Sequence, residues 1–375
     1  MPESQEIRRL MKDGLNGPAL KRLADAVSQA WPEFDDAGFL KAALDGLDDL
    51  ELKDRVRHVI NVLNRFLPDA YLQALKIVVR AGGLFPSGKS GDSLAGFAAW
   101  PLIDWVPEYG LNHCDTSMRA LKKLTSLFSA EFAVRPFLIA DTERALDHMR
   151  GWIDDPNEHV RRLVSEGTRP RLPWGSRLPM FIKDPSLVIG LLNLLKDDPS
   201  QYVRRSVANN LNDIAKDHPA TVIKVCREWK KGASAEREWI IRHGLRTLVK
   251  QGNPGALRVL GYTTDPKVSV ALRLSAGSLK IGDDLSIEVT LTSKASRNQK
   301  LVVDYVVHHV RANGNTTPKV FKLRNLDLEP GQGVSFTKKH SFAPRSVRRY
   351  YPGEHMVELV VGGQSMGRCS FTMTK

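Results

Sequence analysis

The sequence predicts two domains of different texture. An all-α HEAT-like repeat solenoid is expected over residues 1–264, and a small all-β immunoglobulin-like sandwich over 265–375. Three observations carry this. Apolar side chains recur at three- and four-residue spacing as far as Leu260. Beyond Asp265-Pro266 the period switches to two, between turn signals rich in Gly, Pro and Asn. One phrase of the helical part also occurs twice, as Asp154-Asp-Pro-Asn-Glu-His-Val-Arg-Arg and Asp197-Asp-Pro-Ser-Gln-Tyr-Val-Arg-Arg, 43 residues apart.

The helical elements follow in order. Residues 19–30 place Ala, Leu and Val on one face, and similar patterns cover Val56–Leu67, Tyr71–Ala81, Thr116–Phe132 and Thr142–Ile153. Asp115 and Asp141 stand where N-caps are expected. Trp100 and Trp105, in Ala-Trp-Pro-Leu-Ile-Asp-Trp-Val-Pro, read as packing an early loop, and Trp152 and Trp239 as core. The paired arginines open the second helix of each repeat, and Ile241-Arg242-His243 is a looser third copy. Spacings near 40 residues with two helices per unit point to HEAT-like stacking, in which corresponding positions align.

The β elements are expected at Val268–Leu274, Leu285–Leu291, Leu301–Val310, Lys319–Leu328, Val334–Thr337, His355–Val361 and Cys369–Thr374. About seven short strands in this length suggest an immunoglobulin-like sandwich. The inter-sheet disulfide of antibody domains is not expected, because this part holds only Cys369.

Composition narrows the function. The net charge is +13, favouring a polyanionic partner, nucleic acid first. Residues 265–375 carry 17 Lys and Arg against 9 Asp and Glu, so the smaller domain is the more basic per residue. Its clusters Lys338-Lys339-His340 and Arg345, Arg348, Arg349 either track a phosphate backbone or keep edge strands from pairing. The three cysteines, Cys114, Cys226 and Cys369, are widely separated and lack metal-ligand spacing, so neither a disulfide framework nor a zinc site is expected. His159, His243 and His308-His309 lack nucleophile or metal partners in the sequence and read as structural or DNA-facing. The stretch Met1 to Asn16 has no apolar core of a signal peptide, and the densest apolar run, Leu187–Leu195, is too short to span a membrane. A reducing cytoplasm is the expected compartment, with no membrane association.

The first copy of the repeat ends differently from the second. Ser165-Glu166-Gly-Thr-Arg169-Pro-Arg171-Leu-Pro-Trp174 has no echo downstream, where Asn209 replaces the glutamate. Glu166 is the leading carboxylate, against the alternative of an inter-repeat ion pair. Trp174 sits on a stretch that two prolines keep out of a helix, either exposed on a stiff loop or plugging a gap. Asp213 lies four residues beyond Asn209 on the same helix face and is either a second carboxylate or an inter-repeat cap. Glu131 either flanks a ligand or pairs with Arg135. Arg169 and Arg171 bracket Pro170 and suit phosphate clamping. Arg161, Arg162, Arg204 and Arg205 line up as a possible phosphate track near helix N-termini, with Arg135, Arg242 and Arg246 as further candidates. Pairing between repeats is the structural alternative for each.

Three segments together resemble the AlkC branch of the HEAT-repeat alkylpurine DNA glycosylases. They are Glu131-Phe-Ala-Val-Arg135-Pro-Phe, Asn157 through Trp174, and Val203-Arg-Arg-Ser-Val-Ala-Asn-Asn-Leu-Asn-Asp213. The resemblance covers roughly residues 1–262 and includes Trp239 to Asn253; a trailing immunoglobulin-like domain fits one subgroup. It implies base excision repair of cationic methylated bases, notably 3-methyladenine and also 3-methylcytosine. It implies no metal and no organic cofactor. It also implies that the duplex is bound along the solenoid without turning the lesion into a deep pocket, unlike most glycosylases. The implied partner is double-stranded DNA containing alkylated bases, met by a monomer that joins the nucleoid during repair.

The chemistry suits the residues. A 3-methylated adenine is cationic while attached and leaves neutral, so no general acid is needed. Charge develops on the deoxyribose, where a carboxylate stabilises it and orients a water. An indole face stabilises the same cation by about 0.5–2 kcal/mol. Glu166, Trp174, Glu131 and Asp213 are the expected catalytic set. Arg135, Arg161, Arg162, Arg169, Arg171, Arg204, Arg205, Asn209, Arg242 and Arg246 are expected on DNA. The competing reading is a non-enzymatic HEAT scaffold that binds nucleic acid or a protein through the same track.

Overall fold

The structure is a computed structural model that describes residues 10–85, 94–344 and 348–375. Arg345, one of the basic residues singled out above, lies outside the described residues. Contacts gather into two compact units that divide at Ile214/Ala215. Helical repeats come first and an immunoglobulin-like β-fold follows, with the change of texture between Val259 and Val268. Among the described residues no helix is long and apolar enough to cross a membrane.

The first unit contains α1 Gly17–Ala30, α2 Asp36–Leu44, α3 Leu52–Phe66, α4 Tyr71–Gly82, α5 Trp100–Gly110 and α6 Cys114–Leu124. It continues through α7 Arg135–Ala140, α8 Thr142–Arg150, α9 Glu158–Gly167, α10 Pro179–Lys183, α11 Ser186–Leu195 and α12 Gln201–Ile214. The apolar stripes read from the sequence become the core: Leu20, Leu23 and Val27 of α1, and Val59 and Leu63 of α3, are fully or almost fully buried. Asp141 caps α8 as expected, its side chain accepting from the Arg144 amide.

Three local expectations change. Asp115 lies inside the first turn of α6 rather than at its cap, and its carboxylate instead pairs with Arg144 and His148. The helix expected to reach Phe132 stops at Leu124, and residues 130–134 form turns that lead into α7. The segment expected to be an early loop is α5. Pro101 sits in its first turn, where a missing N–H costs nothing, and Pro107 is carried inside the helix.

The repeat has a common internal bracing. Arg161 donates to the carbonyls of Asp155 and Pro156, and Arg204 donates to those of Asp198 and Pro199. Each first arginine thus ties its helix to its own Asp-Pro turn. The aspartates reach backward: Asp155 pairs with Lys122 at 2.8 Å, and Asp198 takes a two-point contact from Arg161 at 2.7 and 3.0 Å. α9 packs on α11 and α12. Between copies, Ser165 and Ser206 hydroxyls meet at 2.7 Å, and Asn210 donates to the Ser165 carbonyl at 2.8 Å.

The second unit contains α13 Pro219–Lys230, α14 Ala235–Gly244, α15 Arg246–Lys250 and α16 Pro254–Val259, then eight strands. The strands are β1 Val268–Leu274, β2 Ser278–Lys280, β3 Asp284–Ser293, β4 Gln299–Val310, β5 Thr316–Leu328, β6 Gly333–Ser341, β7 Gly353–Val361 and β8 Gln364–Thr374. Sheet orders are β1-β3-β6 and β2-β8-β7-β4-β5, antiparallel throughout except for the β2–β8 pair. Seven of these strands match expected segments; β2, three residues long, escaped the period-two reading. Ile287, Val289, Leu301, Val303, Val357 and Leu359 build the core between the sheets. β4 is buried on both faces over most of its length. Within this unit the helical segment meets the β7–β8 turn at Gly252 and Gly363. A Cβ on Gly252 would stand 2.6 Å from the Gly363 Cα, so only glycine fits, and both residues have positive φ.

Candidate active site

Six charged side chains come together around the end of α9. Glu166 occupies its last turn and is 4% exposed. Its Oε1 accepts from Arg169 Nη1 at 2.6 Å, and its Oε2 lies 3.6 Å from Arg162 Nη2. Arg169 turns its Nε to Asp213 Oδ2 at 2.8 Å, across the repeat boundary to α12. Arg162 donates from Nη1 to Glu131 at 3.0 Å and to the Ser129 hydroxyl at 2.9 Å, while Ser129 also donates to Glu131 at 2.7 Å. The Arg162 guanidinium lies 4.5 Å from the centre of the Tyr202 ring. Three carboxylates are thereby strung on two guanidiniums. Glu166 and its neighbours hold both arginines charged: burial alone would lower the pKa of Arg162 and Arg169, but the adjacent carboxylates raise it.

The sixth group, Arg135, opens α7 and is completely buried. Its Nε donates to the Ser176 carbonyl at 2.7 Å and its Nη1 to the Gly167 carbonyl at 2.8 Å. Burial lowers its pKa to about 10, and the positive Arg169 nearby adds to this. Arg135 therefore braces both ends of the loop that follows α9. The same loop is closed by the Leu178 amide on the Pro170 carbonyl at 3.2 Å. At Gly167, where the helix ends, a Cβ would stand 2.6 Å from the Val134 side chain, so the loop needs glycine there to sit this close to α7.

Trp174 lies at the tip. It is 56% exposed with φ of +65°, the one non-glycine with positive φ among the described residues. Such a conformation in a bulky residue costs on the order of 1 kcal/mol or more and persists only where the surroundings enforce it. Lys53 of α3 donates to the Trp174 carbonyl, and the Gly175 amide bonds to the Leu172 carbonyl at 3.2 Å. The indole is presented to solvent on a braced loop; it does not plug the core.

Four carboxylate-and-indole candidates thus fall into two groups. Glu131, Glu166 and Asp213 share one network, with Glu131 paired to Arg162 rather than to Arg135. Trp174 flanks a separate pocket of about 320 Å³, lined also by Lys53, Trp100, Asp104 and Phe132. The residue after Glu131 is Phe132, and Arg135 bonds to Ser176, which also lines the pocket, so pocket and network are neighbours.

The arginines differ in what they can offer a phosphate. Arg135 and Arg169 are buried and hold internal partners, Arg135 two backbone carbonyls and Arg169 two carboxylates. Arg161 and Arg204 are likewise folded onto their own Asp-Pro turns. Arg205 is exposed, Arg171 and Asn209 are half-buried, and Arg162 faces the acidic network. In the second unit Arg242 and Arg246 are exposed, and Arg246 bonds to the His243 carbonyl at 2.6 Å. Of the basic β clusters, Lys338 and Lys339 are exposed on β6, Lys339 pairing with Asp284 at 2.7 Å. His340 is buried and bonds through Nδ1 to the Tyr305 hydroxyl at 2.9 Å, so it cannot track a backbone. His309 is buried among aromatic rings, which pushes its pKa down to about 3, while His308 bonds to Glu358 at 2.8 Å.

Sequence reasoning missed Tyr202 and the pocket. The sequence signal for the pocket is the Trp100–Asp104 pair, four residues apart on α5: the indole donates to Asp104 Oδ2 at 2.6 Å. No group of three or more His, Cys, Asp or Glu among the described residues is arranged to hold a metal ion.

Two family models match the chain. Residues 128–248 match the DNA alkylation repair enzyme family, and residues 269–375 match the C-terminal Ig-like domain of the uncharacterised protein YhaZ. The uncharacterized protein YhaZ of Bacillus subtilis (strain 168) is 37% identical over 356 residues, 94% of this chain and 96% of its own length. The structure is similar to the Pseudomonas fluorescens alkylpurine DNA glycosylase AlkC bound to DNA containing an abasic site analog. The two share 38% identity and a TM-score of 0.90, over 98% of this chain and 100% of the other.

Proposed function

Because the chain belongs to the AlkC family of alkylpurine DNA glycosylases, we propose that it is a monofunctional glycosylase of double-stranded DNA. Its substrates are cationic N3-methylated bases, 3-methyladenine first and 3-methylcytosine second. The single observation that carries the reading is Glu166. It is a nearly buried carboxylate, pinned by Arg169 and Arg162, in the one repeat that departs from its own pattern.

The reaction breaks the bond between the sugar C1′ and the base nitrogen. The bonding electrons go to the base, which leaves neutral because it was cationic. The sugar is left as an oxocarbenium-like cation. Glu166, Asp213 and Glu131 provide negative charge whose direction the guanidiniums already fix, so little reorganisation is needed as the cation develops. One of these carboxylates orients a water, whose oxygen bonds to C1′ and whose proton passes to the carboxylate. The exposed indole of Trp174 gives a π face on the same side of the loop. Residues 1–264 would hold the lesion. Arg171, Arg205, Asn209, Arg242 and Arg246 would serve the phosphates, leaving Arg135, Arg161, Arg162, Arg169 and Arg204 to the scaffold and the carboxylate network.

The experiment is release of free base from methylated duplex DNA. Excision of 3-methyladenine well above the spontaneous rate is expected. Glu166→Gln should slow single-turnover excision by about 100-fold or more while changing affinity for abasic-site DNA far less. No release above background would leave the scaffold reading in its place.

A further inference from the structure

The pocket beside Trp174 shares that indole with the cleavage chemistry, but its other lining residues take no part in it. Trp100 stacks on Phe132, with ring centres 5.8 Å apart and planes 24° apart, and the indole of Trp174 lines another part of the pocket. Above about pH 7, where it is ionised, Asp104 supplies one polar acceptor. Its Oδ2 is taken by the Trp100 indole at 2.6 Å, while its Oδ1 is buried without a hydrogen-bond partner. A buried acceptor left unpaired is costly, and a ligand donor removes that cost. The volume, about 320 Å³, is at the small end of small-molecule sites and suits a bicyclic heterocycle.

Charge says what kind. The ionisable groups lining the pocket are Lys53, Arg57, Asp104 and Glu108, two of each sign once Asp104 is ionised. The Lys53 ammonium lies 5.9 Å over the Phe132 ring, occupying a face that a cationic ligand would otherwise use. A neutral planar molecule is favoured over a positively charged one. In the reaction above, the base is cationic before cleavage and neutral after it.

We propose that this pocket receives the released base, a neutral amine-bearing purine, with its ring on the Trp174 indole and against the edges of Trp100 and Phe132, and its exocyclic amine donating to Asp104 Oδ1. The identity of the ligand as a product rests on the proposed glycosylase activity; its chemical class rests on the pocket alone. Such a site would draw the base away from the carboxylate network and let the cleaved DNA depart separately.

Binding of free bases to the full chain tests it, by isothermal titration and by ligand-observed saturation-transfer NMR. Adenine and 3-methyladenine should bind. Purine, which has the same rings without the amine, should bind at least tenfold more weakly. Asp104→Leu should abolish the difference between adenine and purine. The comparison of the two bases on the unaltered protein does not depend on that variant folding. Equal binding of adenine and purine would overturn the proposal. So would the absence of binding by a protein that excises 3-methyladenine, and this would leave the catalytic reading intact. Amine-selective binding by a protein that excises nothing would uphold the pocket and overturn the glycosylase reading.

Discussion

Arg169 reaches from the end of one repeat to Asp213 in the next, its Nε 2.8 Å from the carboxylate, while its Nη1 holds Glu166. All three side chains are less than 10% exposed. One guanidinium therefore keeps two buried carboxylates together that would otherwise repel. Arg169→Met removes that shared cation and should destabilise the protein by about 3–5 kcal/mol, measured as the urea midpoint. Arg169→Met combined with Asp213→Asn should recover part of the loss. An Arg169→Met protein as stable as the unaltered chain would deny the network its structural role.

Trp174 carries a backbone conformation suited to glycine. Trp174→Gly should therefore fold with equal or greater stability, by up to about 1 kcal/mol, while Trp174→Ala keeps the strained φ and gains nothing. Both should slow excision, by roughly tenfold if the indole stabilises the sugar cation. Thermal unfolding and single-turnover kinetics separate the two effects. Unchanged excision by both variants would remove Trp174 from the mechanism.

The first arginine of one copy of the repeat phrase and the second arginine of the other should behave in opposite ways. Arg161 is bonded to Asp198 and to two carbonyls, so Arg161→Ala should cost about 2 kcal/mol or more of stability. Arg205 is exposed; Arg205→Ala should alter stability by less than about 0.5 kcal/mol. It should instead weaken DNA binding evenly across sequences and reduce the salt slope by about 1. A salt slope unaffected by Arg205→Ala takes that residue off the phosphates.

Asp104 gives the protein a pH signature. Burial is the main cause raising its pKa to about 7; Glu108 adds to the rise, while the Trp100 indole and Lys53 oppose it. The folded state thus keeps a proton that the unfolded chain releases between about pH 4 and pH 7. Stability from this group falls as pH rises through that window. Asp104→Asn cannot ionise, so at pH 8 it should be more stable than the unaltered chain by on the order of 4 kcal/mol, with the gap closing near pH 4. Denaturant unfolding at the two pH values checks this, and a gap independent of pH would contradict it.

Much of this protein was legible in its residue order. The three- and four-residue apolar spacing, the switch to period two and the repeated Asp-Asp-Pro phrase depend on local geometry, so they announced the helices, most strands and the repeat. The departure at Glu166 to Trp174 pointed to the candidate site because a repeat that breaks its own pattern needs a reason. Tertiary structure decided which arginines were spent on the fold. Arg161 and Arg162 are adjacent in the chain, but a helix turns successive residues by about 100°. One therefore meets Asp198 and the other meets Glu131. It also decided that Asp213, 47 positions from Glu166, shares a cation with it, and that Asp104 and Trp174 line one pocket. Sequence patterns record the face a residue occupies; which distant side chain is packed against that face is set only when the helices close on one another.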